Sequence, residues 1–511
     1  MKFSHLSASI AALPLAATRP WSNSKQIVDQ TTCGGTTYQY TGLVGYGFVP
    51  SNATDKYGDT LGGIGSSIAV NQSSWRMTGD DSYEGIVYTL PDRGWNKNGT
   101  LNVQSRIHKF LVSFKLAPEA AASHPAQPNL ELKYLDTLLL TGPDGEPTTG
   151  LEADANGYAS YPGFPPLPAA TYEGDGFGGE GPGGKRISMD TEGLALDKDG
   201  YFWVSDEYGP YIYKFDQNGK MVLALQPPSA FLPRRNGTLS FSAASPPVYD
   251  PDAMPVPEEP QSGRANNQGF EGLTISPDGA KLHVTTQSAL NQEGGPNDPY
   301  RRPVRVLEYD ISSDQPEYLH EYVVMLPTYL DKDDAEKVAA QSEIHQLPTG
   351  DFLVLARDED CGHGQECTES MYRHADIVSI TNSPTDIKGP TYDSATGAVA
   401  SREGELKEGI VPAQYCPFID YNLQSELAKF GLHNGGQQDS TLLNEKWESL
   451  ALLKANPSVT LPKGQNEYFL FSFSDNDYVT QDGHLNFGRY NYADDSGYNI
   501  DVQVLVFSLK F

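Results

Sequence analysis

Two acidic pairs bracket one short stretch of the chain, "SMDTEGLALDKDGYFWVSDEYGP" from Ser188 to Pro210: Asp190 and Glu192 near its start, Asp206 and Glu207 near its end. Carboxylates can hold a hard cation, move a proton, or accept backbone N–H groups. Which of these they do depends on whether the two ends meet. "GLAL" and "YFWV" are short apolar runs, and "DKDG" between them supplies the Asp and Gly that a tight turn favours. The stretch therefore reads as an antiparallel hairpin, in which the start of the first strand and the end of the second are neighbours.

The pattern recurs. "GFEGLTISPDGAKLHVTTQSA" begins at Gly269, "QSEIHQLPTGDFLVLARDED" at Gln341 and "KWESLALLKANPSVTLPKGQNEYFLFSFSDND" at Lys446; a degenerate copy is "GGIGSSIAV" from Gly62 followed by "IVYTLPDRG" from Ile86. Aligned by eye, the first-strand position reads Ile64, Glu192, Glu271, Glu343, Glu448, and the second-strand position reads Asp92, Asp206, Thr286, Asp358, Asp475.

After several hairpins comes a second strand pair: "RIHKFLVSFKL" with "LKYLDTLLLTG", "YIYKFDQ" with "KMVLALQPP", and "VRVLEYDIS" with "YLHEYVVML". Repeated four-stranded antiparallel units mark an all-β fold, a β-propeller. Five blades are visible, with room for a sixth. The copies are spaced more widely than the usual period of about 40 to 50 residues, so long loops are inserted between them. One spans residues 156–185 and is Gly- and Pro-rich; another spans roughly residues 384–445, where "LQSELAKFGL" suits a short helix. The closing "DVQVLVFSLKF" is a third strand without a fourth, and "TTYQYTGLVGYG" near the start is a strand without a hairpin. The N-terminal strand is expected to complete the last blade and remove an open sheet edge.

Residues 1–17, "MKFSHLSASIAALPLAA", read as a secretory leader, leaving 18–511 as one domain. Four sequons, at Asn52, Asn71, Asn98 and Asn236, suit a secreted glycoprotein. Cys33, Cys361, Cys367 and Cys416 form an even set, and pairing of Cys361 with Cys367 and of Cys33 with Cys416 is expected. The loop "CGHGQEC" also admits a zinc reading with His363 as a ligand. The net charge of -30 excludes nucleic acid as a natural partner, because that needs a basic face to displace counterions. No run is apolar and long enough to span a membrane, and a soluble monomer is expected.

In a propeller the first strand of each blade lines the central channel. Glu192, Glu271, Glu343 and Glu448 are then expected to converge at one mouth, with Asp206, Asp475, Asp92 and Asp358 close behind. Carboxylates brought together stay ionised only beside positive charge. An all-oxygen ligand set suits Ca²⁺ first and Mg²⁺ second, since Mg²⁺ demands stricter octahedral geometry. The alternative is that each acid caps backbone amides of a neighbouring strand.

The motifs "DTEGLAL", "VSDEYGP", "NQGFEGLTI", "SEIHQLPTGDFLVLARDED", "KWESLALL" and "FLFSFSDNDY" resemble the repeated Glu and Asp motifs of the phytase-like family, described as esterase-like activity of phytase. The resemblance runs from about Gly62 to Phe511 and implies a propeller whose acids form a site for phosphoester or ester hydrolysis. Ile64, Thr286 and Gln287 depart from the acidic pattern, so their blades are expected to give no ligands.

For an enzyme of this kind, Glu207 or Asp358 is the candidate general base, Arg93 and Arg357 the candidate holders of a phosphate oxygen, and His345 a candidate acid or base. Each has a structural alternative: a salt bridge for the arginines, packing for the histidine. Neither a G-x-S-x-G elbow nor a phosphate-binding Gly-rich loop with Lys occurs, and "YRHAD" at Tyr372 to Asp376 lacks the Gly and Arg that complete a histidine phosphatase pocket. Three readings follow: a metal-dependent phosphoester hydrolase on a small substrate, a Ca²⁺-dependent lactonase or carboxylic esterase, and a non-catalytic propeller with a structural ion.

Overall fold

The structure, a computed structural model, describes residues 27–459, 461, 462 and 464–511. The expected leader, residues 1–17, lies outside them. Five antiparallel sheets form the blades of a propeller. Blade one is built from Ser67–Val70, Ser82–Leu90, Arg106–Lys115 and Leu130–Leu139; blade two from Thr191–Leu196, Phe202–Asp206, Ile212–Phe215 and Met221–Leu225. Blade three runs through Phe270–Ile275, Lys281–Thr286, Pro303–Asp310 and Glu317–Met325; blade four through Ala340–Gln346, Phe352–Arg357, Arg373–Ser379 and Gln414–Asp420. Blade five combines Ala451–Lys454, Glu467–Phe473 and Val502–Lys510 with the N-terminal strand Thr36–Val49, and Asp29–Cys33 adds a fifth strand outside it. Thr36–Val49 lies along Val502–Lys510 from Gln39 opposite Lys510 to Val49 opposite Val502, so the chain's two ends close the ring.

The period-two alternation of each strand determines how the blades hold together. In "FWVS", Phe202 and Val204 turn toward blade one and pack with Leu90 and Ile107, whereas Trp203 turns toward blade three and packs with Phe270 and Leu282. Blade five does the same: Phe469 and Phe471 meet Phe110 of blade one, and Leu470 meets Leu353 of blade four. A fifth cluster, with Val304 and Ile344, joins blades three and four. Five interblade cores thus form a closed circle, the burial on which such a ring depends.

Two details differ from the sequence reading. The supposed irregular insert at 384–445 contains the fourth strand of blade four, Gln414–Asp420, which "QYCPFID" disguises by placing Pro417 in an outer strand, where a missing N–H is tolerated. Within 156–185, Ala169–Tyr172 pairs with Gly184–Ile187 as a small hairpin. "LQSELAKFGL" holds a single helical turn, Gln424–Leu427, continued by a tighter turn at Ala428–Phe430. No helix among the described residues is long and apolar enough to cross a membrane.

Both expected disulfides are present, Cys33–Cys416 and Cys361–Cys367, so both sulfurs beside His363 are consumed. Their separations, 383 and 6 residues, differ greatly. Cys33–Cys416 ties the added outer strand of blade five to blade four. Because the entropy removed from the unfolded chain grows with the closed loop, replacing both Cys33 and Cys416 by Ser should cost on the order of 4 kcal/mol. The same change at Cys361 and Cys367 should cost clearly less, and denaturant midpoints of the two double variants will compare them.

Candidate metal centre

A bulge in the inner ladders of blades two, three and five aims the acids. In blade two Thr191 pairs with Asp206 and Leu194 with Val204, so Glu192 and Gly193 together face one residue. In blade three Phe270 pairs with Thr286 and Leu273 with Val284, which puts Glu271 and Gly272 in the same place. In blade five Trp447 bridges Ser474 and Ala451 pairs with Phe471, so Glu448 lies in an equivalent bulge. Such bulges redirect a side chain out of the regular alternation. The Gly after Glu has a steric cause: a Cβ at Gly193 would lie 2.6 Å from the carbonyl oxygen of Glu271, and one at Gly272 would lie 2.7 Å from the nitrogen of Ile344. Inner strands could not approach so closely with any other residue there.

Blade four departs from the common register. Gln341 pairs with Ala356 and Ile344 with Val354, so Ser342 stands where Glu192 stands in blade two, and Glu343 stands where Gly193 does. Its carboxylate reaches across the channel, accepting the Ser67 hydroxyl at 2.6 Å and the backbone N–H groups of Leu273 at 2.9 Å and Ile344 at 2.8 Å. Burial still pushes it up to about 8. Glu343 joins blades one, three and four inside the channel, apart from the other acids.

Asp190, Glu192 and Glu207 are brought together, each offering a carboxylate oxygen within 4.8 Å of the others. Glu271 adjoins them: burial first, and the charges of Glu207 and Glu448 next, push its carboxyl well up. Glu192 is raised by burial and by Glu271 and Asp190, and Glu207 is pushed up to about 8 by burial and Asp190. Three of these oxygens, Asp190 Oδ1, Glu207 Oε2 and Glu271 Oε2, are buried and accept no hydrogen bond among the described residues. The partner oxygens are held: Gly269 N–H donates to Glu207 at 3.0 Å, and Gln287, the departure from the acidic pattern, donates to Glu271 at 3.3 Å. Buried carboxylate oxygens facing one another without donors suit a hard cation bound by oxygen alone.

Three cations pair with acids at this site, and the charge of a fourth, the buried Arg264, acts on Asp190 and Glu207. Arg93 pairs with Asp190 at 2.7 Å, Arg357 with Glu448 at 2.7 Å and with Glu445 at 3.1 Å, and Lys446 with Asp477 at 2.8 Å and with Glu448 at 3.5 Å. Both arginines are therefore engaged by carboxylates. By the ladder register, Lys446 in blade five stands where Asp190 stands in blade two, each two residues before the ring Glu. The sequence marks Asp190 as one of the acidic hairpin ends without naming it among the ligands, and gives Lys446 no role, although aligning "DTEG" with "KWES" marks both positions.

The remaining candidates have other surroundings. Asp206 accepts the N–H groups of Asp190 at 2.8 Å and Gly209 at 2.9 Å and the hydroxyl of Tyr213 at 3.0 Å, so it supports Asp190 from behind. Asp358 accepts Ser370, Met371 and Tyr372, capping the return to the third strand of its blade. His345 lies across from Leu353, and burial pushes it down to about 4, which keeps it neutral. Asp475 accepts the Ser66 hydroxyl and the Asp477 N–H, both at 2.6 Å, and burial pushes it up to about 6. Beside Asp475 and Lys446 opens a pocket of about 300 Å³, bordered also by Asp477, Asp494 and the disulfide-pinned segment around His363.

The phytase-like family model, described as esterase-like activity of phytase, matches residues 73–400. The chain is 61% identical over 484 residues to a protein of Arthroderma benhamiae described as an uncharacterized secreted protein, with 94% of each chain covered. A luciferin-regenerating enzyme structure aligns at 10% identity and a TM-score of 0.28, covering 87% of this chain and 92% of its own. The PQQ-bound aldose sugar dehydrogenase of Streptomyces coelicolor aligns at 10% identity and 0.26, covering 94% and 97%. At those scores neither structure carries an argument here.

The raised carboxyls have a consequence for stability. Glu207, pushed up to about 8 from 4.5, and Asp475, pushed up to about 6 from 3.8, hold protons in the folded chain that the unfolded chain has already released. Stability of the metal-free protein should therefore fall as pH rises from about 4 to 8. Added Ca²⁺ should flatten that decline, and melting curves across this range with Ca²⁺ or with chelator will measure it.

Proposed function

We propose, from the premise that this chain belongs to the phytase-like family, that it is a secreted, divalent-cation-dependent hydrolase of small phosphoesters centred on Asp190, Glu192 and Glu207. The observation that carries the reading is the convergence of Asp190, Glu192 and Glu207, with carboxylate oxygens within 4.8 Å of one another, of which Asp190 and Glu207 each keep a buried oxygen without a hydrogen-bond donor among the described residues. Secretion accords with the description of the Arthroderma benhamiae relative, and two disulfides belong to an oxidising compartment.

Asp190, Glu192 and Glu207 would hold the cation, with Glu271 and Glu448 as neighbouring donors. Ca²⁺ is favoured because it accepts carboxylates in flexible number and geometry. When bound, such an ion polarises an ester oxygen and lowers the pKa of water. The chain's own groups divide the remaining work. Arg93 orients Asp190, and Arg357 orients Glu448. Lys446, between the acids and the pocket, offers its ammonium to an anionic oxygen of the substrate as a point charge. Asp475, lining the same pocket with a carboxyl pushed up to about 6, is placed to take up or release a proton near neutral pH.

The test is metal analysis of the purified protein, followed by a panel of phosphoesters and lactones with and without chelator. Phosphoester turnover abolished by chelator and restored by Ca²⁺ is expected; turnover that ignores chelator contradicts the reading. Glu192→Gln and Asp190→Asn should each lower kcat/KM on the order of 100-fold, the scale of losing one charged partner of a transition state. Glu317→Gln, at the exposed start of an outer strand, should change neither activity nor metal affinity.

A further inference from the structure

The sequon Asn98-Gly99-Thr100 lies at the exposed end of the pocket. Lys446, Asp475 and Asp494 form the pocket's inner part; Lys97, Asn98, Asp495 and Ser496 are the lining residues turned to solvent. Asn98 Nδ2 donates to Asp495 Oδ2 at 3.1 Å, which places the acceptor nitrogen of the sequon on the rim itself.

This rim is rigid. Three residues before Asn98, the Trp95 indole N–H donates to Asp494 at 2.8 Å, and its ring stacks on Tyr492 at 4.7 Å. Two residues after it, the Thr100 N–H donates to the carbonyl of Pro246 at 3.1 Å, and Thr100 Oγ1 donates to Ser245. A group attached to Asn98 is thus rooted on a segment anchored on both sides. The amide bond to a sugar leaves one N–H on Nδ2, enough to keep the bond to Asp495.

We infer that Asn98 carries an N-linked glycan that stands over the mouth of the pocket beside Lys446 and Asp475, admitting small esters and excluding polymeric ones. The size filter rests on the hydrolase reading above; occupancy of Asn98 does not. A secreted chain passes the machinery that glycosylates Asn-X-Thr, and a glycan of several sugars is larger than the 300 Å³ space it borders.

Two measurements test this on the full-length secreted protein. Glycopeptide mass spectrometry should find Asn98 occupied; an unmodified Asn98 overturns the inference whatever the protein catalyses. The second compares turnover of a small chromogenic phosphoester with that of the same ester linked to dextran, for the parent and for Asn98→Gln, which keeps a donor for Asp495. The ratio of dextran-linked to small-ester turnover should rise severalfold in the variant. An occupied Asn98 with an unchanged ratio overturns the filter. Absence of turnover on both esters overturns the hydrolase reading and the filter with it, leaving the glycan to be judged by mass spectrometry alone.

Discussion

Mutual repulsion among buried carboxylates is the constraint around which this molecule is arranged. Asp190, Glu192, Glu207 and Glu271 converge where water is scarce; burial raises all four, and like charge adds to it on Glu192, Glu207 and Glu271, whereas Arg93 draws Asp190 part of the way back. A fold tolerates this only if the acids are held by something stronger than their repulsion. The holding elements are the inner strands of the blades, fixed in place by five interblade cores and by the pairing of Thr36–Val49 with Val502–Lys510 that closes the ring. Without that closure, blade five and the Glu448 it carries would have no fixed position opposite blade two.

Local devices then distribute the charge. Arg93 takes Asp190, Arg357 takes Glu448 and Glu445, and Lys446 takes part of two, which leaves a surplus of negative oxygen near Asp190, Glu207 and Glu271. Asp206 and Glu343 differ in kind from these. Each spends its lone pairs on backbone N–H groups and hydroxyls, stitching the strand ends from which the other acids project. The same residue type therefore serves as scaffold in one place and as exposed charge in another, and the hydrogen-bond donors nearby distinguish the two.

Much of this was legible in the sequence. The recurrence of Glu before an apolar strand and Asp after the next one disclosed the blades, and the unpaired strands at the two ends disclosed the closure. What escaped was the consequence of a one-residue shift. "SEIH" aligns with "TEGL" letter by letter, yet the ladder places Ser342, not Glu343, in the position of Glu192, because the bulge lies between Gln341 and Glu343. Ladder register is a property of two strands together, so one strand's letters do not reveal it. Asp190 and Lys446 escaped for the opposite reason: their place before the ring Glu was visible, but residues of opposite charge at equivalent positions do not look like a repeat. The fourth strand of blade four was hidden by Pro417, which an outer strand accepts.

The central claim is that Asp190, Glu192 and Glu207 hold a divalent cation. The most direct measurement is anomalous scattering from crystals of the protein soaked in Ca²⁺. The account predicts a difference peak enclosed by these three carboxylates, with Glu271 or Glu448 beside it. Saturating Ca²⁺ with no peak there, or with peaks only at surface acids, would contradict it.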